Sequence, residues 1–135
     1  MEIEDGIHLI KNPHSTYFVS SVLIVGESLT LVDAGRVESP EASIYPAIRT
    51  LGRDPREISL LILTHTHWDH CAGAAQIKKE TSCKVAVHVN GEAYLTDPEK
   101  VTQDLTTRFP GIPSGNMAGL DAVEPEIVFT DGSRI

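Results

Sequence analysis

An α+β chain of layered architecture is what this sequence predicts, from three observations. Its first third is rich in Val, Ile and aromatic residues and reads as a β-meander. Residues 40–51 carry Ile44, Ala47, Ile48 and Leu51 at helical spacing. The run Leu60-Leu61-Ile62-Leu63 is uniformly apolar, as expected of a strand covered on both faces and followed by a helix.

The elements follow in order. Strands are expected at 7–10, 17–25 and 29–33, with Gly26-Glu27-Ser28 turning between the second and third. The helix over 40–51 has Ser39 as its N-cap, Pro40 in its first turn and Gly52 at its end. A strand over 60–63 runs into a polar loop, and a helix over 71–80 uses Ala74, Ala75 and Ile77 as its apolar positions. A strand at 84–89 and a helix at 98–108, begun by Asp97, come next. Residues 109–116 are rich in Pro and Gly and read as a loop, a plain linker before anything else. A last strand at 126–130 meets a hairpin turn at Asp131-Gly132, with 133–135 as the start of a return strand.

The chemistry concentrates at one place. Of six histidines, three fall in Thr64-His65-Thr66-His67-Trp68-Asp69-His70, at the carboxyl end of the apolar strand. In an extended segment side chains at i and i+2 share a face, so His65 and His67 can close on one ion with Asp69 in phase behind them. His70 breaks the phase and suits a second ion, which the Asp69 carboxylate can help to hold. Imidazole suits zinc, iron, copper and nickel, and a set without thiolate argues for an open, water-bearing site over a closed structural cluster. The bland alternative is a stretch of solvated loop histidines, against which the strand-then-loop setting counts.

The string T-H-T-H-W-D-H-C-A-G-A resembles the H-x-H-x-D-H signature of the metallo-β-lactamase superfamily. Leu29-Thr30-Leu31-Val32-Asp33-Ala34-Gly35 is similar to that family's first motif, a strand ending in Asp and then Gly, and residues 85–95 resemble its strand, His and short helix. The resemblance implies an αββα sandwich built from two αβ halves, of which residues 1–135 would form the N-terminal part of a single domain. It implies a two-zinc site, with iron or manganese as alternatives: His65 and His67 on the first ion, Asp69 and His70 on the second, Asp69 also orienting the nucleophile. Asp33 would orient the ligands from beneath; its alternative is a mere turn-former. The implied activity is hydrolysis of a small-molecule ester, thioester, lactone or amide. An iron-dependent persulfide dioxygenase would use the same ligand set.

The family completes its site with a further histidine, a bridging aspartate and a final histidine. No histidine follows His88 here. The chain is therefore expected to be a truncated half, inactive alone. The competing class is no enzyme: a half-domain that self-associates or pairs with a complementary second half, or a metal-binding remnant.

Composition bounds the rest. A net charge of -8 leaves no basic surface for phosphates, against nucleic acid and anionic membranes as partners. Cys71 and Cys83 make no disulfide framework, and the acidic N-terminus carries no basic flank or apolar core of a leader. A cytoplasmic location is expected. His8 and His14 are expected at the surface, His88 as a structural or surface histidine, and Trp68 either as a pocket wall or packed under the loop.

Overall fold

The computed structural model describes residues 1–14, 17–111 and 119–135. Among them seven strands form one sheet, in which each strand lies beside its sequence neighbour: β1 (Glu2–Glu4), β2 (Ile7–His14), β3 (Tyr17–Val25), β4 (Leu29–Val32), β5 (Ile58–Leu63), β6 (Lys84–His88) and β7 (Ile127–Phe129). The first four strands are antiparallel and the last four parallel. Parallel neighbours need crossovers, and helices supply them. A π-helical turn (Pro40–Ile44) and α1 (Tyr45–Thr50) join β4 to β5; α2 (Trp68–Cys71) and α3 (Ala74–Thr81) join β5 to β6; α4 (Val89–Thr96) and α5 (Pro98–Arg108) lie between β6 and β7. The expected α+β layering is what forms.

Cross-strand partners define the two faces. On one face Leu23, Leu31, Leu61 and Val85 stand in a row, all fully buried. They pack with Ile44, Ile48, Ala74 and Ile77 of the crossover helices in one core. On the other face Leu9, Val22, Val32, Ile62, Ala86 and Ile127 form a second apolar row across six strands. All but Ala86 are half-buried, and Ile24 beside them is 40% exposed. The apolar run of β5 is therefore covered fully on one side only.

Several expectations shift. β2 continues past residue 10 to His14, because its full length pairs with β3 from Ile7↔Ile24 to His14↔Tyr17. Asn12, which hid this from the pattern, is buried and donates from Nδ2 to Ser21 Oγ at 2.8 Å. The helix at 40–51 opens as a π turn, with the Tyr45 N–H donating to the Pro40 carbonyl. Pro46 has no N–H and its ring crowds the carbonyl four residues back, which favours the wider turn. Ser39 does not cap this helix; its Oγ accepts from the Arg36 N–H at 2.9 Å instead. The helix expected over 71–80 is two pieces, one starting at Trp68 and one at Ala74.

At the far end β7 pairs parallel with β6, through Ala86↔Ile127 and His88↔Phe129. The turn after it forms, with the Ser133 N–H donating to the Thr130 carbonyl at 3.1 Å, but residues 133–135 form no return strand. The loop expected over 109–116 lies largely outside the described residues from 112 onward. His8 and His14 are half-buried, not exposed. His14 stacks on Tyr17 with ring centroids 4.5 Å apart.

β7 is also held from the side. Glu126 pairs with Lys78 at 2.7 Å and accepts the Val85 N–H at 2.9 Å, and these two contacts, the Lys78 one larger, hold its carboxyl below the usual range. A depressed carboxylate stabilises the fold above its unfolded value of about 4.3 and loses that contribution as pH falls through the folded value. We expect amide exchange at Val85 and β7 to quicken as pH drops below about 4 after correction for intrinsic rates, and Glu126→Gln to flatten that dependence. An identical acid limb in the variant would remove Glu126 from the account. The effect is small, since the Glu126 side chain is 42% exposed.

Candidate metal centre

The carboxyl ends of β4 and β5 are neighbours through Val32↔Ile62, so the residues that follow each strand meet. β4 ends in Asp33, which takes a left-handed backbone (φ 61°) and is buried. Asp tolerates that conformation where most residues do not. It turns the chain so that Ala34 donates to the His70 carbonyl at 2.8 Å, Gly35 bridges to Cys71, and the Gly73 N–H donates to the Gly35 carbonyl at 3.2 Å. The first-motif turn and the histidine loop are thus laced together by backbone.

The Asp33 carboxylate is the hub. Its Oδ1 accepts the Thr64 N–H at 2.8 Å, the Thr64 hydroxyl lies 3.0 and 2.8 Å from its two oxygens, and His70 Nδ1 lies 2.8 Å from Oδ2. A carboxylate only accepts, so His70 Nδ1 carries the proton and Nε2 presents a lone pair. Thr64 Oγ1 also lies 2.9 Å from His65 Nδ1. With the hydroxyl proton directed at Asp33, His65 Nδ1 donates to Thr64 and its Nε2 is left free as well. One buried carboxylate thereby sets the tautomer of two imidazoles, which is how ligand histidines are held in metal sites.

The rings converge. His65 and His70 centroids are 4.2 Å apart, and His65 and His67 are 4.8 Å apart and nearly perpendicular. Donor atoms of Asp33, His65 and His70 lie within 4.8 Å of one another. His67 and Asp69 stand outside that group. The extended backbone runs only to His67, which caps α2, and Asp69 sits in the first turn of that helix, half-buried. The i, i+2 phase therefore holds for His65 and His67 and ends before Asp69. Asp33 meets His70 and Thr64 of the loop.

Electrostatics separates the two histidines of the hub. Burial, then the His70 and His67 charges, lowers the pKa of His65, favouring the neutral imidazole that a metal requires. The hydrogen bond to Asp33 is the main cause that raises His70. Cys71, next to the loop, is 2% exposed, its Sγ donates to the Thr66 carbonyl at 3.5 Å, and its thiol is pushed up to about 12, first by burial and then by the Asp69 and Asp33 charges.

Trp68 is buried beneath the loop, where it packs with Val101 and Leu105 of α5 and carries the Arg36 guanidinium 4.9 Å over its ring. Packing is its role, of the two open in the sequence. His88 caps α4, its Nδ1 accepting from the Asn90 N–H at 3.2 Å. Its Nε2 lies 3.3 Å from an Asp131 oxygen, without hydrogen-bond alignment. The part sequence reasoning missed is Thr64: a hydroxyl next to a histidine carries no pattern, and only the placement of Asp33 reveals it.

Comparison with known proteins agrees with this fold. The family model for the metallo-beta-lactamase superfamily matches residues 14–133. A hydroxyacylglutathione hydrolase of Rhodopseudomonas palustris (strain BisB18) is 32% identical over 77 residues, which cover 56% of this chain and 29% of that protein. Among solved structures, a subclass B3 metallo-beta-lactamase of Bradyrhizobium japonicum superposes with a TM-score of 0.75 at 23% identity, covering 100% of this chain and 46% of its own. The FEZ-1 metallo-beta-lactamase of Legionella gormanii gives 0.74 at 20% identity, covering 96% and 45%. The chain thus spans about half the length of these solved structures and less than a third of that curated relative.

Proposed function

We propose that this chain, which belongs to the metallo-beta-lactamase superfamily, carries the metal loop of a zinc-dependent hydrolase acting on a small-molecule ester, thioester, lactone or amide. The observation that carries the proposal is the hub: a buried carboxylate that engages His70 directly and His65 through Thr64, with ligand atoms of Asp33, His65 and His70 within 4.8 Å of one another, at the carboxyl ends of adjacent parallel strands, where ligands of open sheets bind. The donor set fits zinc, being imidazole with carboxylate and no thiolate. His65 and His67 would hold one ion, and Asp69 with His70 a second. A metal bound there lowers the pKa of water toward about 7 and polarises a carbonyl.

The chain's own residues do the rest. Asp33 fixes the tautomers, Thr64 passes that constraint to His65, and Asp69 offers the carboxylate that orients a nucleophilic water. Matched relatives named as hydroxyacylglutathione hydrolases support an acyl substrate. The acidic surface and two unpaired thiols support a cytoplasmic setting, and no helix among the described residues is long and apolar enough to cross a membrane.

Zinc calorimetry on the purified chain tests the reading. We expect weak uptake at two sites, one removed by His65→Ala and the other by His70→Ala, because each ion finds two of these four ligands where catalytic zinc has three protein ligands. Zinc uptake indifferent to both substitutions would sink the proposal, and submicromolar affinity at unit stoichiometry would mean a third ligand within these residues.

A second reading is favoured by one observation, the half-exposed row Leu9, Val22, Val32, Ile62 and Ile127. Large apolar patches on soluble proteins mark association surfaces. A second copy, or a separate complementary half, would cover this one, and sedimentation should find a dimer. A well-behaved monomer at high concentration would exclude self-association.

A further inference from the structure

Beside the histidines lies a cavity of about 330 Å³ whose lining is mixed in character. Leu63 and Val87, at the ends of β5 and β6, form its floor, and Tyr94 of α4 with Val101 and Leu105 of α5 form its wall. His65, His67 and His88 line it as well, with Thr64, Thr66 and Asn90. Asp104 and Arg108 also border it, but they neutralise each other, the Arg108 Nε donating to Asp104 at 2.9 Å. An ionised tail entering here would lose water and, among the described residues, find only the Asp104-paired Arg108 and imidazoles as cationic partners, which is costly. An apolar tail would lose only unfavourable hydration.

The position fixes which part of a molecule enters. His65 and His67 line the cavity together with Leu63 and Val87, so a carbonyl placed at those histidines brings the chain bonded to it against the apolar lining. The volume stands at the small end of the range for ligand cavities, about 300 to 1,000 Å³. α5 links the two features, since Val101 and Leu105 pack on Trp68 and line the cavity as well.

The geometry points to an acyl subsite: this cavity receives the short, uncharged, apolar acyl chain of the substrate, and so selects acyl esters or thioesters whose chain is aliphatic over substrates with a charged acyl tail. The inference rests on the hydrolase reading for its carbonyl, while the cavity itself requires no metal.

The test is methyl NMR on the full chain without metal, titrated with N-methyl butanamide, hexanamide and octanamide as stable stand-ins for the acyl part. We expect shifts at the Leu63, Val87, Val101 and Leu105 methyls, with binding tightening about fourfold per added methylene until the cavity is full. Tyr94→Trp should fill the space from its half-open side and weaken octanamide about tenfold, the loss of between one and two buried methylenes. The wild-type titration stands alone if that variant folds poorly. Shifts confined to Val22, Val32, Leu60 and Ile62 would assign the binding to the open sheet face and overturn the subsite. So would affinity independent of chain length, or octanoate binding more tightly than the amide. Length-dependent binding with zinc uptake indifferent to the histidines would refute the hydrolase reading and leave the subsite standing.

Discussion

Asp33→Ala is expected to lower zinc affinity by about 10 to 100-fold, the usual cost of losing the group that orients a ligand. The reason is local. Without the carboxylate the Thr64 N–H and hydroxyl and the His70 Nδ1–H lose their acceptor in a part-buried setting, so the cost of each lies toward the lower end of the range of about 1–3 kcal/mol for a fully buried unpaired donor. Alanine also fits poorly at φ 61°. Asp33→Asn separates the two effects, since Asn tolerates that backbone and keeps one acceptor oxygen while losing the charge. Calorimetry should rank wild type above Asn and Asn above Ala. Equal zinc affinity in all three would return Asp33 to the role of a turn residue.

Gly73→Ala should be the most destabilising single methyl addition near the site. A Cβ there would stand 2.4 Å from the Ala34 carbonyl oxygen, 3.1 Å from that of Arg36 and 3.0 Å from the Pro40 ring. Backbone atoms on two sides cannot swing away as a flexible side chain would, so a loss of about 3 kcal/mol, the upper end for overpacking, is expected in urea unfolding. Gly111→Ala is the control, because a Cβ there meets nothing within 4 Å, and it should stay within about 0.5 kcal/mol of wild type. Since Gly73 also seats the histidine loop on the Asp33 turn, zinc affinity should fall with stability. An unchanged unfolding midpoint would show that the two loops can part without cost.

What the sequence discloses tracks the range of the interactions involved. β3 and α5 are legible to the residue, the first from its run of β-branched and aromatic residues and the second from Asp97 as its cap before Pro98. Those signals are local. The one-turn helix α2 is not legible, because four residues have no periodicity and His and Asp are poor helix formers; the backbone there is held by contacts with Gly35 and Ala34, far back in the chain. β2 beyond residue 10 is hidden for the same reason, since Lys11, Asn12 and Pro13 become a strand only by pairing with β3. In the candidate site the motif names the histidines. It does not name the wiring: that Asp33 grips His70 and Thr64 is a consequence of the β4–β5 register.

The order of the sheet bears on how the chain folds. Every strand among those described pairs with the one before it, from β1 through β7. Each new strand can add to an edge already present as the polypeptide leaves the ribosome, so the loop-closure entropy grows by one crossover at a time. The antiparallel meander, with its short connections, should close first. The parallel additions through α1 and then through α2 and α3 should follow more slowly, since non-local pairing sets folding rates. Asp33 would therefore be synthesised and waiting at an open edge before His70 exists. The two become partners only when β5 docks, which makes the Asp33–His70 contact a reporter of the first parallel pairing.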